Sequence, residues 1–196
     1  MKFRTLLLGI LFLVAGCGHS PSTQFLTLDP APATPNAGTT AYRGPAIRVP
    51  AVRIPPALDR DEFVEKSAPG EVKVSDLVHW SAPLGILARN TLIADLAARL
   101  PPGAVAPPDA PAQADGLRID VTIVSLEVVA GEASMQAAYQ FARDDGAAAA
   151  THREWATLHL ASGSAPLDVA RSFSALLGQL ADRITEDLAR SQNRIH

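Results

Sequence analysis

Cysteine is almost absent from this chain, whose 196 residues contain a single one, Cys17. With no second cysteine there is no intrachain disulfide, so packing alone must hold the fold together. Aromatic residues are scarce, at 5% of the chain, and basic residues are outnumbered by acidic ones, 17 to 20. This charge balance leaves no basic surface for nucleic acid, which we exclude as a partner.

A long hydrophobic run is also lacking. The apolar stretch at Leu6–Val14 falls short of the roughly 20 residues that a transmembrane helix needs. Lys2 and Arg4 precede this stretch, and the small residues Ala15 and Gly16 follow it. A basic, then an apolar, then a small-residue region is typical of a cleaved secretory signal.

Cys17 stands directly after these small residues, as it does in bacterial lipoprotein signals that are cut before a lipid-modified cysteine. We therefore predict a signal peptide over residues 1–16 and a covalent lipid on Cys17, which acts as an anchor and not as a catalyst. An ordinary secretory signal or an uncleaved anchor is the alternative. The next residue is Gly18 and not the aspartate that favours the inner membrane, so we expect the periplasmic face of the outer membrane.

Motifs of common enzyme classes are missing as well. The sequence has no HExxH pattern for zinc, no G-x-S-x-G nucleophile elbow and no glycine-rich phosphate loop. An envelope hydrolase would have to use His79 beside Trp80, or His152 with Glu154, for acid–base chemistry. Ordinary strand and loop positions explain these side chains better. We predict no enzyme, no metal site and no cofactor apart from the lipid on Cys17.

Composition divides the rest of the chain. Residues 17–44 are rich in proline, threonine and alanine, and we predict a lipidated tether there that includes a first edge strand at Gln24–Leu28. Residues 45–190 are predicted to form the main part of one α+β domain, and residues 191–196 a C-terminal tail.

Alternation of apolar and polar residues predicts a mostly antiparallel sheet. The predicted strands are 47–54 with a phase slip at Pro50, a hairpin of 62–66 and 71–75, and a meander of 117–128, 133–141 and 152–160. A change of phase near Val124 predicts a β-bulge, and Gly131 marks the following turn.

Two amphipathic helices are predicted to pack on the sheet, each opening on Ser-Ala-Pro-Leu, with Ser81 and Ser164 as caps. The first runs to Leu100, and its apolar face is predicted to hold Ile86, Ile93, Leu96 and Leu100. Its solvent face is predicted to hold Thr91, Asp95 and Arg99. The second has an apolar stripe of Phe173, Leu177, Leu180, Ile184 and Leu188, opposite Arg171, Asp182, Arg183, Glu186 and Arg190. A membrane or partner surface is the alternative role for this stripe.

Two segments resemble a known family. The run Ile47–Arg60 ends in Leu58-Asp59-Arg60, and His79-Trp80-Ser81-Ala82-Pro83-Leu84 follows it. Together they are similar to the PqiC family of auxiliary lipoproteins for ABC-type and MCE-type lipid transporters. The Leu-Asp-Arg and Trp elements are the most specific part of this resemblance.

The resemblance implies a periplasmic domain that docks with an MCE-domain protein, while inner-membrane transporter subunits complete a path for phospholipids or other hydrophobic molecules. Because such partners form rings, a homo-oligomer is a further expectation. An assembly lipoprotein of another envelope machine, for lipopolysaccharide export or secretion, is the alternative.

Five residues are candidates for docking or for structure: Leu58, Asp59, Arg60, Trp80 and Trp155. At the end of a strand, Asp59 can accept backbone hydrogen bonds while Arg60 forms an ion pair, and we prefer this structural role to docking. Trp80, next to a helix start, is expected in the core. Trp155 alternates with Leu158 and Leu160, so we expect it on the opposite side of the sheet, as a partner or lipid contact.

Overall fold

A computed structural model describes residues 21–33, 42–68, 70–146 and 153–193. Cys17, the predicted signal peptide and His152 lie outside these residues. The described part contains eight strands and two helices. They are β1 (Gln24–Leu26), β2 (Ile47–Arg48), β3 (Val52–Arg53), β4 (Glu62–Ala68), β5 (Glu71–Trp80), α1 (Leu84–Arg99), β6 (Leu117–Val129), β7 (Glu132–Arg143), β8 (Arg153–Ala161) and α2 (Pro166–Asn193).

The larger sheet has five strands, and its centre is the predicted meander. β6 pairs with β7 and β7 with β8, all antiparallel. The register of β6 shifts between Ile123 and Ser125, which confirms the predicted bulge. Ala130 and Gly131 both have positive φ, 51° and 80°, as a tight two-residue hairpin turn requires.

Three short strands pair in parallel, a detail that the alternation pattern had not indicated. The phase slip at Pro50 separates β2 and β3, and each pairs with β6 in parallel. A second sheet of three strands has the order β1-β5-β4, in which β4 and β5 form the predicted hairpin and β1 lies parallel to β5. The long pairings are all antiparallel, so the predicted α+β class is confirmed, with its strands divided between two sheets.

The core lies between the sheets and the two helices, which pack against each other. The apolar stripe predicted for α2 is confirmed, since its five members are all buried: Phe173, Leu177, Leu180, Ile184 and Leu188. They face alternate residues of the meander, including Ile119, Val121, Met135 and Ala137, which are fully buried.

The polar face predicted for α1 was wrong. Ile86 is 47% exposed, whereas the three residues assigned to water, Thr91, Asp95 and Arg99, are buried. The reason is the N-terminal segment, whose backbone crosses this face. The Leu28 carbonyl accepts a hydrogen bond from Thr91 Oγ1 at 3.2 Å, and the Ala31 amide donates one to Asp95 Oδ1 at 2.7 Å. The polar side chains of α1 therefore fasten residues 28–32 to the domain.

Arg99 joins this segment to α2. Its Nε donates to Asp182 Oδ1 at 2.5 Å, and its Nη2 donates to the Pro32 carbonyl at 3.3 Å. Asp95 completes the cluster at 3.4 Å from Arg99 Nη1, so the i,i+4 pair expected on the surface is buried. Gly178 permits the close approach, since a Cβ there would lie 2.5 Å from the Cβ of Ala31. We call Asp95, Arg99 and Asp182 the buried ion cluster.

Burial raises the pKa of Asp95 from 3.8 to about 6, against the opposing effects of the Ala31 amide and Arg99. As the pH rises from about 4 to about 6, the unfolded chain releases this proton while the folded protein keeps it, so stability falls across that window. We expect Asp95→Asn to remove this loss. The variant's free energy of unfolding minus that of the parent protein should be about 2 kcal/mol larger at neutral pH than at pH ~4, as the two-unit pKa shift implies.

Urea unfolding of both proteins across this pH range measures the difference. Asp109→Asn is the control, because the Asp109 side chain is 96% exposed. Parallel pH profiles for Asp95→Asn and the parent protein would show that Asp95 does not titrate in this window.

Candidate functional site

The loop of residues 55–60 brings Asp59 to the start of α1. Asp59 Oδ1 accepts a hydrogen bond from the Gly85 amide at 3.1 Å. The predicted cap at Ser81 was wrong, because the N-cap position is Pro83 and no side chain at that position makes a capping bond. Asp59 thus satisfies a free amide of the first helical turn from 26 residues away. A side chain at position 85 would crowd this contact, since a Cβ there would lie 3.1 Å from Asp59 Oδ1.

We expect Asp59→Ala to lower the free energy of unfolding by about 1 kcal/mol, as the loss of a helix cap does, and Asp59→Asn to recover most of that loss. Asp61→Ala is the matched control, because Asp61 is an exposed aspartate directly after this loop. Chemical denaturation measures all three variants. Equal effects of Asp59→Ala and Asp61→Ala would contradict the capping role.

The two residues next to Asp59 differ in burial. Arg60 is exposed and its Nε lies 2.9 Å from Glu62 Oε2, an ion pair that contributes little to stability. Leu58 is partly buried and packs against the core. It lines an apolar cleft that no pattern in the sequence had indicated.

The apolar cleft lies between the β4–β5 hairpin and the second half of β6, and its volume is about 270 Å³. Val64 and Val72 form the hairpin wall, and Val124 and Val128 form the wall on β6. Val124 lies at the bulge after Ile123, and 46% of the Val124 surface is exposed. Leu58, Phe63, Leu126, Val169 and Phe173 also line the cleft.

Trp80 lies behind this cleft in the core, with 4% of its surface exposed. Its ring centroid is 5.8 Å from that of Phe63 and 6.3 Å from that of Phe173, and both of those rings line the cleft. The structure therefore brings Trp80 and Leu58 to one site. The three stacked and tilted aromatic rings join β4, β5 and α2.

Trp155 lies elsewhere, on the larger sheet, and is 59% exposed. It stands opposite Ala138, which in turn stands opposite Thr122, so the three form one row across the strands. A small hollow of about 90 Å³ adjoins it, lined also by Arg53 and Gln140. Trp155 does not line the apolar cleft, but the hollow and the cleft are neighbours, since Val124 lines both.

Two of the residues considered for acid–base chemistry, His79 and Glu154, lie in different sheets. His79 is in the three-stranded sheet, where its ring packs 5.9 Å from that of Phe25. Glu154 is in the five-stranded sheet, and His152 lies outside the described residues. Within residues 21–33, 42–68, 70–146 and 153–193, no three histidine, aspartate or glutamate side chains cluster as metal ligands would. Neither described helix has the length and apolarity needed to cross a bilayer.

Residues 26–185 match the family model of the ABC-type transport auxiliary lipoprotein component. The chain belongs to this family. The match includes both segments on which the resemblance to PqiC-like proteins rests, and that prediction is confirmed. A transport auxiliary lipoprotein is a protein of the cell envelope, and the family description implies association with an ABC transporter.

Two solved structures share the fold of this transport auxiliary lipoprotein. Protein XCC0632 from Xanthomonas campestris, of the family DUF330, is 14% identical with a TM-score of 0.68, over 89% of this chain and 100% of that one. A second, described as an uncharacterized protein, is 19% identical with a TM-score of 0.63, over 87% and 99%. No curated protein matches the sequence significantly.

Proposed function

We propose that this auxiliary lipoprotein is anchored to the periplasmic face of the outer membrane and serves an MCE/ABC-type system that moves lipid between the two membranes. In this proposal it is a non-catalytic adaptor without a cofactor, and the lipid on Cys17 is its anchor. The observation that carries the proposal is the family match over residues 26–185, which begins nine residues after Cys17.

The physical argument for an adaptor is confinement. A lipid anchor and a short tether hold a folded domain close to one membrane, which raises its effective concentration for a partner that bridges the envelope. The buried ion cluster supports this role, because it fixes residues 31 and 32 to α1 and α2. The domain is therefore joined firmly to the chain that leads to Cys17.

Trp155 is the residue that we propose for contact with the MCE-domain protein or with a second copy of the chain. Large exposed aromatic side chains are enriched at the centres of protein interfaces. Trp155 is the most exposed tryptophan or tyrosine among the described residues. Its substitution by alanine should weaken partner crosslinking without lowering stability.

Complementation of a deletion strain tests the function. Loss of the gene should make the envelope leaky to detergents, and the wild-type chain should restore resistance. Cys17→Ala should fail to restore it and should no longer fractionate with the outer membrane, because the precursor is neither acylated nor cut before residue 17. Ser22→Ala, a control change at an exposed position near the anchor, should behave as the wild type. Full complementation by a non-acylated Cys17→Ala protein would contradict the anchored adaptor.

A further inference from the structure

The apolar cleft lies between two strand edges. β4 is the edge strand of the three-stranded sheet, in the order β1-β5-β4. Beyond Ile123, β6 pairs only with β7 among the described strands, so its other edge is open there. Valines from β4, β5 and β6 line the gap between these edges.

The width of the gap decides which kind of occupant it accepts. An added peptide strand needs two strand spacings, about 9.5 Å between the flanking backbones. At several residue pairs β4 and β6 already approach within 8 Å of each other between Cα atoms, which leaves no room for a peptide strand at those positions. An alkyl chain needs no backbone hydrogen bonds and lies between side chains.

The lining chemistry agrees with an alkyl chain. The walls and floor are aliphatic and aromatic, and Ser125 is the one neutral polar residue among the described residues that line the cleft. The charged residues in this described lining are Glu65, Lys66 and Glu127. Lys66 Nζ lies 2.5 Å from Glu127 Oε2, and both side chains are about one-third exposed, at 39% and 34%. This ion pair joins the hairpin to β6 across the cleft. It is partly exposed to solvent, and a lipid headgroup would lie next to it.

We propose that the apolar cleft binds one alkyl chain of a lipid, with the headgroup in solvent beside the Lys66–Glu127 ion pair. A cavity of about 270 Å³ lies just below the roughly 300–1,000 Å³ range of ligand pockets, so it accepts one chain and not both chains of a diacyl lipid. The inference goes beyond the adaptor role, which does not require the domain itself to contact lipid.

Photocrosslinking of the full-length chain in a Gram-negative host tests this inference. Val72→p-benzoylphenylalanine introduces a photoreactive side chain into the cleft, and the cells that make this protein are grown with radioactive phosphate. We expect phosphate label on the protein that depends on ultraviolet light, since a phospholipid chain in the cleft would be captured. The anchor lipid on Cys17 contains no phosphate and adds no label. Mass spectrometry of the crosslinked peptide distinguishes the two sources of an alkyl chain. A phospholipid gives an adduct with phosphorus, and a free fatty acid gives one without it.

Val129 supplies the matched control. It is also a valine of β6, and it is 47% exposed against 46% for Val124, but it does not line the cleft. Val129→p-benzoylphenylalanine should give at most background label. In a second set of proteins, the probe at position 72 is combined with Val128→Trp, which adds an indole ring to the opposite wall of the cleft. This change should reduce the lipid adduct at least about fivefold, while Val129→Trp should leave it within about twofold.

Three results would overturn the inference. One is no lipid adduct at position 72, and another is equal adducts at positions 72 and 129. The third is capture of a protein at position 72 with no lipid, which would make the cleft a protein-docking surface. If Val128→Trp fails to accumulate, Val124→Trp adds an indole ring to the same wall and replaces it in the comparison. Loss of lipid adduct in a variant that still co-purifies with its transporter would separate the cleft from the adaptor role.

Discussion

Arg99→Ala is expected to lower the free energy of unfolding by about 3–5 kcal/mol, because it leaves the carboxylate of Asp95 buried without its cationic partner. The Arg99 side chain is 1% exposed and donates to Asp182, to the Asp95 carbonyl at 2.9 Å and to the Ala31 and Pro32 carbonyls. One substitution therefore breaks the connection between α1, α2 and the N-terminal segment.

Equilibrium denaturation measures the loss of stability, and hydrogen exchange of residues 24–32 measures the release of the segment. Arg89→Ala is the control on the same helix. Arg89 is 23% exposed and donates to the Pro50 carbonyl at 3.3 Å and to Asn90 Oδ1 at 3.4 Å, and it lies 4.0 Å from Asp109. Its loss should therefore cost less than about 1 kcal/mol. Similar stability losses at both positions, with exchange of residues 24–32 unchanged, would contradict the role given to the buried ion cluster.

Trp80→Ala is the second change with a large expected effect, a loss of about 3–5 kcal/mol from removal of a buried aromatic side chain. The cavity would open between Phe63 and Phe173 and would remove the support behind the apolar cleft. Trp80→Phe keeps an aromatic ring there and should lose less than half as much.

The chain provides its own control for this prediction, because its second tryptophan is exposed. Trp155→Ala should change the free energy of unfolding by less than about 0.5 kcal/mol, since 59% of Trp155 is already in solvent. Thermal and urea unfolding of both variants give the comparison. A Trp80→Ala protein as stable as Trp155→Ala would show that the aromatic cluster does not support the core.

Local patterns predicted the meander and the bulge well. Period-two alternation identifies a strand with one buried face, and a change of phase such as that at Val124 has a local cause in an extra residue. Strand direction was not predictable in the same way. Alternation in β1 and β2 is the same for parallel and antiparallel pairing, so the parallel pairings of these short strands could not be read from it.

The site could be predicted only where the signal is local. Trp80 beside a helix start indicated a core position, and the structure places it there. Asp59, by contrast, caps a helix 26 residues away, and the apolar cleft combines Val72 with Val124 from elements far apart in the chain. The buried Asp95–Arg99 pair has the same i,i+4 spacing as an exposed one, and only the backbone of residues 31 and 32 makes it buried.

Identification of the partner tests the central claim most directly. The full-length lipoprotein, crosslinked in living cells and purified from membranes, should carry with it an MCE-domain protein and the inner-membrane subunits of an ABC transporter. The recovery of those proteins should fall when Cys17→Ala replaces the wild type. Recovery of lipopolysaccharide-export or secretion components in their place, or of no transporter subunit at all, would contradict the account.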